Sequence, residues 1–580
     1  MAGKGSEVQH IEDDQIGRVD TADLSAAEKI DLQQAHTANT ADLPALLADD
    51  ISYGKSGIKG LASSPYILGA SFLASMGGFS FGYDQGVISI INVMPQFMEQ
   101  YPQIGENDPR SAFWKGLNTA LLQLGCFMGC FFMPWLCDKI SRKWAITVMV
   151  VFFNVGGIIM TAAPDYGTLA FGRWFGGLGT GTLALGAPLY ISEIAPPNLR
   201  GTLLVLESIS IVSGVVISFF ITYGTRHMEG DISFRLPFGL QLVSSTILGL
   251  LIHIFPYSPR WLCLKGRNDE ALAALCRLRR LPDTDERIQI EHAGIMAEVE
   301  LQYAMQERAH PGKTGLRLEL AQWGDLFRKK MWRRTIVGVG VAFFQQFSGI
   351  NAFIYYAPTL FQSLGSDYEM SLILSGVMNV IQLVAVLLCF LIIDTLGRRP
   401  LAIYGAATAC VCYIIIAGLV GSYSDDWSAN TAAGWVCVAM AFAFMFFYGL
   451  SYSPLGWALP SEVYSTTTRA KGVALATATV WLCNFIVGLA TPPMIEGAGF
   501  GTYIFFGGFC GLACVWAYLF VPETKGKTLE QMDEVFGDTS AQEEKELMKE
   551  AMRRGSKTGT AVTPGVIGGV PGEHGAKDFA

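Results

Sequence analysis

Charged residues are what this sequence has least of. Asp, Glu, Lys and Arg make up 16% of its 580 residues, against roughly a quarter in a soluble domain. Because 51% of the residues are hydrophobic, an ordinary soluble globule is excluded. Histidine is also sparse, at seven residues, and the 12 cysteines form no CxxC pair and have no histidine at ligand spacing. Most of the cysteines lie within apolar runs and read as small packing residues. No metal site and no cofactor is expected. No loop carries a nucleophile–base or metal constellation, so an enzyme is not expected either. There is no Asn-X-Ser/Thr sequon to mark an outer face. The net charge of −9 comes partly from polar, acidic end segments and says little about partners. Nothing in it points to nucleic acid.

Long apolar runs are what the sequence does have. A bilayer core takes about 20 apolar residues per helix, and twelve runs meet that length. Six come early, at 66–88, 113–136, 144–163, 169–191, 203–223 and 236–255. Six come late, at 336–357, 372–393, 401–420, 435–459, 472–491 and 503–521. Many of the 64 glycines lie inside such runs, where they let helices approach closely. The expected fold is an all-α membrane protein with twelve transmembrane helices in two six-helix bundles, at 65–256 and 335–521. A cytosolic helical linker, 257–334, joins them, with amphipathic helices in stretches such as "NDEALAALCRLRRL". Residues 1–64 show no secretory signal and read as a disordered tail; 522–580 form a second tail. Lys139, Arg142 and Lys143 follow the second run, Arg200 the fourth, Arg398 and Arg399 the eighth, and Arg469 and Lys471 the tenth. Positive loops stay inside, so both termini are expected in the cytosol of a multi-pass cell-membrane protein.

The chain is duplicated. "DKISRK" from Asp138 returns as "DTLGRR" from Asp394, and Asp138–Arg142 and Asp394–Arg398 keep the same spacing of four. "SEIAPPNLRG" returns as "SEVYSTTTRAKG", and Glu193–Arg200 and Glu462–Arg469 keep a spacing of seven. Parallel repeats place a binding site at their interface near the membrane midplane, and rocking of the halves gives alternating access. These acid–base pairs are expected to bridge the halves on the cytosolic side and to gate the transition. A role in topology alone is the simpler alternative.

Polar residues inside the runs mark the candidate site. "QQFSGINAFIYY" holds Gln345, Gln346 and Asn351 around Ser348 and Gly349. Amides offer two donors and an acceptor without charge, which suits a hydroxyl-rich substrate. Irregular backbone at membrane depth is tolerated where it lines a cavity or is buried in protein. The first run contains "GGFSFGYDQGVISII", with Asp84 in it. A carboxylate there costs roughly 2.5–3.5 kcal/mol on insertion scales. The fourth run contains Arg173, and the fifth contains Glu207 beside Ser208.

With the motifs "GYDQGV", "DKISRK", "GRWFGGLGTG", "PLYISEIAPPNLRG", "SPRWL", "QQFSGINAFIYY", "DTLGRR", "PSEVY…RAKG" and "VPETKGKTLE", the chain resembles the sugar porter family of the major facilitator superfamily. The likeness covers about 66–530 and its style is that of fungal hexose transporters. The resemblance implies a monosaccharide (hexose or pentose) transporter working by alternating access, with sugar and proton as partners and a functional monomer in the bilayer. It adds Asn379, Trp457 and Asn484 to the sugar contacts, with Tyr355 and Tyr356 closing over the site. It also makes Asp84 and Arg173 a proton-coupling pair; the alternative is a permanent salt bridge. A facilitator, a transporter of a polyol, sugar acid or disaccharide, and a transporter-like sensor stay open. Trp481 reads as packing or pocket edge. Three features depart from the family pattern. Pro134 and Ser141 stand where it has glycine, Tyr257 stands where it has glutamate, and Ser208 is in register with a sugar-contacting glutamine.

Overall fold

The computed structural model describes residues 65–105, 107–196, 200–328, 331–464, 468–525, 532, 535 and 536. The two expected tails therefore lie outside the described residues, apart from 522–525, 532, 535 and 536 of the second. Every long element is a helix. The first six are α1 (Pro65–Ile91), α2 (Ser111–Ile140), α3 (Arg142–Ala162), α4 (Tyr166–Ile194), α5 (Arg200–Thr225) and α6 (Ile232–Leu251). Three polar helices follow: α7 (Asn268–Arg279), α8 (Glu286–Ala309) and α9 (Gly315–Asp325). The rest are α10 (Trp332–Phe347), α11 (Ile350–Ser363), α12 (Tyr368–Leu396), α13 (Arg398–Tyr423), α14 (Thr431–Leu450), α15 (Tyr452–Val463), α16 (Arg469–Ala498) and α17 (Phe500–Phe520).

Among the described residues, ten helices are long and apolar enough to cross a membrane, with α10–α11 and α14–α15 each counted as one. This is a multi-pass membrane protein. Its outer surface carries apolar side chains such as Leu250, Ile414 and Leu519, as a lipid-facing surface requires. Two further helices, α1 and α4, run for 27 and 29 residues and are rich in glycine. α1 carries five glycines with Asp84 and Gln85, and α4 carries seven glycines with Arg173 and Glu193. Those glycines bring backbones together. A Cβ on Gly177 of α4 would lie 3.0 Å from the Cα of Gly125 on α2.

Two helices of the second half are broken along their length. Gly349, at φ +83°, separates α10 from α11. A second distortion follows at Tyr356, φ −124° and ψ 20°, two residues before Pro358. Ser451 separates α14 from α15. Backbone groups freed at such breaks must find other partners, and here the side chains supply them. Tyr413 donates to the carbonyl of Ser348 at 2.8 Å, and Gln345 to that of Tyr452 at 3.1 Å.

The repeated loop motif has a backbone reason. Ser141 and Gly397 occupy the same repeat position, at φ 101° ψ 158° and φ 88° ψ 162°. This region is essentially reserved for glycine, and a side chain there costs of order 1–3 kcal/mol. Ser141 offsets part of that by accepting a long 3.4 Å bond from the N–H of Trp144, but glycine caps a helix only slightly less well than serine. Ser141→Gly is therefore expected to stabilise the protein by about 1 kcal/mol, read as a raised unfolding midpoint in lipid nanodiscs. An unchanged or lowered midpoint would show that the serine contact outweighs the strain.

Candidate functional site

The charge pairs near the polar linker organise the helix ends. Arg142, at the start of α3, reaches Asp138 on α2 at 2.9 Å and Glu193 on α4 at 2.8 Å. In the second repeat Arg398 of α13 meets Glu462 of α15 at 3.0 Å. In this structure the ion pairs of Arg142 and of Arg398 each join helices of one half. The cause is the motif's geometry: the arginine opens the helix after the tight turn and points back at neighbours of the same repeat. The side chains of Arg200 and Asp394 lie outside the described residues, and Arg469 opens α16.

The departure at Tyr257 also becomes clear. Pro522-Glu523-Thr524 repeats Pro256-Tyr257-Ser258. Glu523 accepts the N–H groups of Arg398 and Arg399 at 3.0 and 3.2 Å, a carboxylate held at a helix N-terminus. Burial alone would raise its pKa, but the N–H groups of Lys525, Arg398 and Arg399 more than offset that and hold it below its ordinary value. In the first repeat the tyrosine replaces this anion. The Lys143 ammonium lies 4.5 Å from the centre of its ring, and Trp144 donates to its hydroxyl at 3.2 Å.

Removing Arg142 would leave Glu193 buried without its guanidinium. Glu193 is 6% exposed, whereas Asp138 is 62% exposed. Arg142→Ala is expected to cost about 3–5 kcal/mol, and Asp138→Ala no more than about 1 kcal/mol. Thermal unfolding of the two variants in nanodiscs measures the difference. Equal losses would mean that the Glu193 contact carries no more weight than the exposed one.

Deeper in the helices, Asp84 and Arg173 form a two-pronged pair. The guanidinium nitrogens lie 3.3 and 3.1 Å from the two carboxylate oxygens, and both side chains are fully buried. α1 presents the acid and α4 the base, so the pair fastens two helices of the first half.

Beside it lies an amide network centred on a phenol. The hydroxyl of Tyr355, on α11, meets the amide groups of Gln85 at 3.0 Å, Gln123 at 2.7 Å and Asn484 at 3.2 Å. A phenol accepts two bonds and donates one. One of these amides therefore turns its oxygen to Tyr355, since amide oxygen and nitrogen exchange places by a flip. Gln85 also donates to Asn351 at 3.1 Å, and Asn351 donates to Gln346. Helices α1 and α2 are thus tied to α10, α11 and α16 through uncharged polar groups.

Four residues singled out in the sequence meet here: Gln346, Asn351, Tyr355 and Asn484. The others stand apart from it. Gln345 turns to α15, and Tyr356 donates to the carbonyl of Gly488 at 2.7 Å. The side-chain oxygen of buried Asn379 has no partner among the described residues. Trp457 is half-buried against a cluster that includes Phe81, Ile211 and Trp481. Gln85 and Gln123 were not singled out. Their only signal is an amide inside an apolar run, next to Asp84 in the one case and alone in the other.

The profile of the family described as "Sugar (and other) transporter" matches residues 70–536. The chain belongs to that family. It is a transporter and not an enzyme. The transporter is 30% identical over 509 residues to the high-affinity glucose transporter of Kluyveromyces lactis, covering 85% of this chain and 89% of the other. It is 32% identical over 476 residues to the sugar transporter STL1 of Saccharomyces cerevisiae, covering 80% of each. Its fold is like that of the xylose transporter XylE from E. coli in a partially occluded inward-open conformation. The TM-score is 0.64 at 24% identity, with 80% of this chain and all of the other covered.

At the end of the transporter away from its polar linker, a further pair joins the halves. Arg226, at the C-terminal end of α5, lies 2.6 Å from Glu369 in the first turn of α12. Tyr368 donates to the carbonyl of Val93 at 3.4 Å. This end is closed by contacts between first-half and second-half residues.

Proposed function

We propose that the protein carries a monosaccharide, a hexose or pentose, across the cell membrane by alternating access, together with a proton. The observation that carries this reading is the network around Tyr355. Five uncharged amides from both halves converge on one buried phenol and on each other, where a sugar's hydroxyls would replace the protein's own partners. In this reading Gln345, Gln346, Asn351, Asn379 and Asn484 bind hydroxyl groups and Trp457 stacks on the sugar's C–H face. Tyr355 and Tyr356 close the site at the end where Arg226 and Glu369 meet. The ten apolar spans together with α1 and α4 make twelve, arranged as two six-helix bundles. The linker and both termini face the cytosol, because the Lys- and Arg-rich loops gather there. The ion pairs of Arg142 and Arg398 keep each bundle rigid as the two rock against each other, and so act on gating from within each half. Asp84 is the proton acceptor, with Arg173 as its partner.

A facilitator is the second reading, and the Asp84–Arg173 geometry favours it to the extent that a buried two-pronged pair can serve as a fixed strut. Expression in a cell lacking hexose uptake separates the two. Radiolabelled sugar that accumulates above the outside concentration, and falls to it with a protonophore, supports symport. Equilibration without regard to pH or protonophore identifies a facilitator. Absence of uptake for hexoses, pentoses, polyols, sugar acids and disaccharides alike would overturn the transport reading.

A further inference from the structure

We propose that Glu207 on α5 is a second proton-binding site of this transporter, separate from Asp84, and that it holds its proton while α1 and α5 are packed together. The site itself stands on geometry; its place in a transport cycle rests on the proton-coupled reading above.

Glu207 is 4% exposed, and its carboxyl oxygens have no side-chain partner among the described residues, with only the backbone of Gly78 beside them. It lies against Gly78 of α1. A Cβ at position 78 would sit 2.9 Å from the carboxyl carbon, so the missing side chain is what makes room for the acid. The crevice continues as a glycine stripe. A Cβ on Gly82 would lie 3.1 Å from the Cα of Ile211, and one on Gly86 would lie 3.1 Å from the backbone nitrogen of Phe219. On the facing helix, a Cβ on Gly214 would lie 2.9 Å from the backbone nitrogen of Tyr83. The two backbones touch along this line, which leaves little room for water beside the carboxyl.

The described charged side chains on the helices packed against α5 are engaged elsewhere. Asp84 of α1 is held by Arg173 of α4, and Glu193 of α4 by Arg142. Arg235 of α6 meets Asp231, Glu369 of α12 meets Arg226, and Glu462 of α15 meets Arg398. The side chains of Arg200 on α5 itself and Asp394 on α12 lie outside the described residues. Of the nearby hydroxyls, Ser210 donates to Ser75 at 2.9 Å and Ser75 to the carbonyl of Phe72 at 2.8 Å. The hydroxyls of Tyr66 and Tyr83 on α1 make no bond among the described residues.

An ionised carboxylate with no charged or side-chain partner is far costlier in such a place than a neutral acid. The packed arrangement therefore selects the protonated carboxyl, and any arrangement that admits water to the crevice favours the ionised one. By linkage, packing α1 against α5 takes up one proton at Glu207, and separating them releases it. The exchange forms and breaks one O–H bond and needs no other reactant. Asp84 lies six residues along α1 from Gly78, about 9 Å of helix. Movement of α1 therefore changes the surroundings of both acids at once.

Infrared difference spectroscopy of the full chain in lipid nanodiscs tests this directly. The parent is expected to show the C=O stretch of a protonated carboxylic acid at neutral pH. Glu207→Gln should remove that band, Glu207→Asp should shift it, and Asp84→Asn should leave it in place. A parent spectrum without the band, or a band indifferent to both Glu207 variants, overturns the proposal. If the parent transports sugar without proton coupling and yet keeps the Glu207 band, the symport reading fails and the buried acid stands. The Glu207→Asp arm keeps the test decisive should Glu207→Gln not fold.

Discussion

Replacing Asp84 with asparagine is expected to abolish accumulation of sugar against a gradient while leaving binding and exchange. Both oxygens of Asp84 face the guanidinium of Arg173 at 3.1–3.3 Å with no exposure to solvent. An ion pair in that setting is held by mutual attraction against a large desolvation cost, and neutralising one partner tips the balance. A proton on Asp84 does this reversibly; asparagine does it permanently. The amide oxygen can still accept from Arg173, so the helices keep a neutral contact in place of the ionic one. The Tyr355 network contains neither residue, and sugar exchange across the membrane should survive. The measurement is the ratio of internal to external radiolabelled sugar at steady state in cells that display the variant at their surface. That ratio should fall to equilibrium in the variant and stay above it in the parent. A variant that still concentrates sugar would remove Asp84 from coupling and leave it as a strut between α1 and α4.

The second large effect is expected at Gln346. Gln346 accepts from Asn351, which in turn accepts from Gln85. Gln346→Ala therefore removes one amide and unties a second. A buried polar group without a partner costs roughly 1–3 kcal/mol, which corresponds to a rise in KM of about 5- to 150-fold. The maximal rate should change less, because the ion pairs at the helix ends are untouched. Uptake as a function of sugar concentration, normalised to protein at the surface, gives both quantities. An unchanged KM in correctly placed protein would exclude Gln346 from the substrate's contacts.

Much of the architecture was legible in the residues because membranes impose length and apolarity on every span. The apolar runs coincide with helices, and the weak point at Ser348 and Gly349 is a true break with a left-handed glycine. The Asp84–Arg173 contact was also readable, from two charges in runs that had no use for them and from the family likeness. What could not be read was orientation about the helix axes. Arg142 and Glu193 are 51 positions apart, and spacing within each repeat does not say whether they join one half or two. Gln123 looks like any amide in an apolar stretch until Tyr355, 232 positions away, arrives beside it. The strain at Ser141 was visible only as a departure from a glycine pattern; its cause is a backbone angle, which side-chain chemistry does not reveal.

The phenol of Tyr355 has a consequence for affinity. In the proposed reading, a sugar's hydroxyls compete with this hydroxyl for the amides of Gln85, Gln123 and Asn484. Substrate binding is then in part an exchange of hydroxyl partners, and affinity is a difference between two hydrogen-bonded states. The buried side-chain oxygens of Gln123 and Asn484 have no partner among the described residues, so a sugar hydroxyl that donates to them adds bonds as well as replacing them.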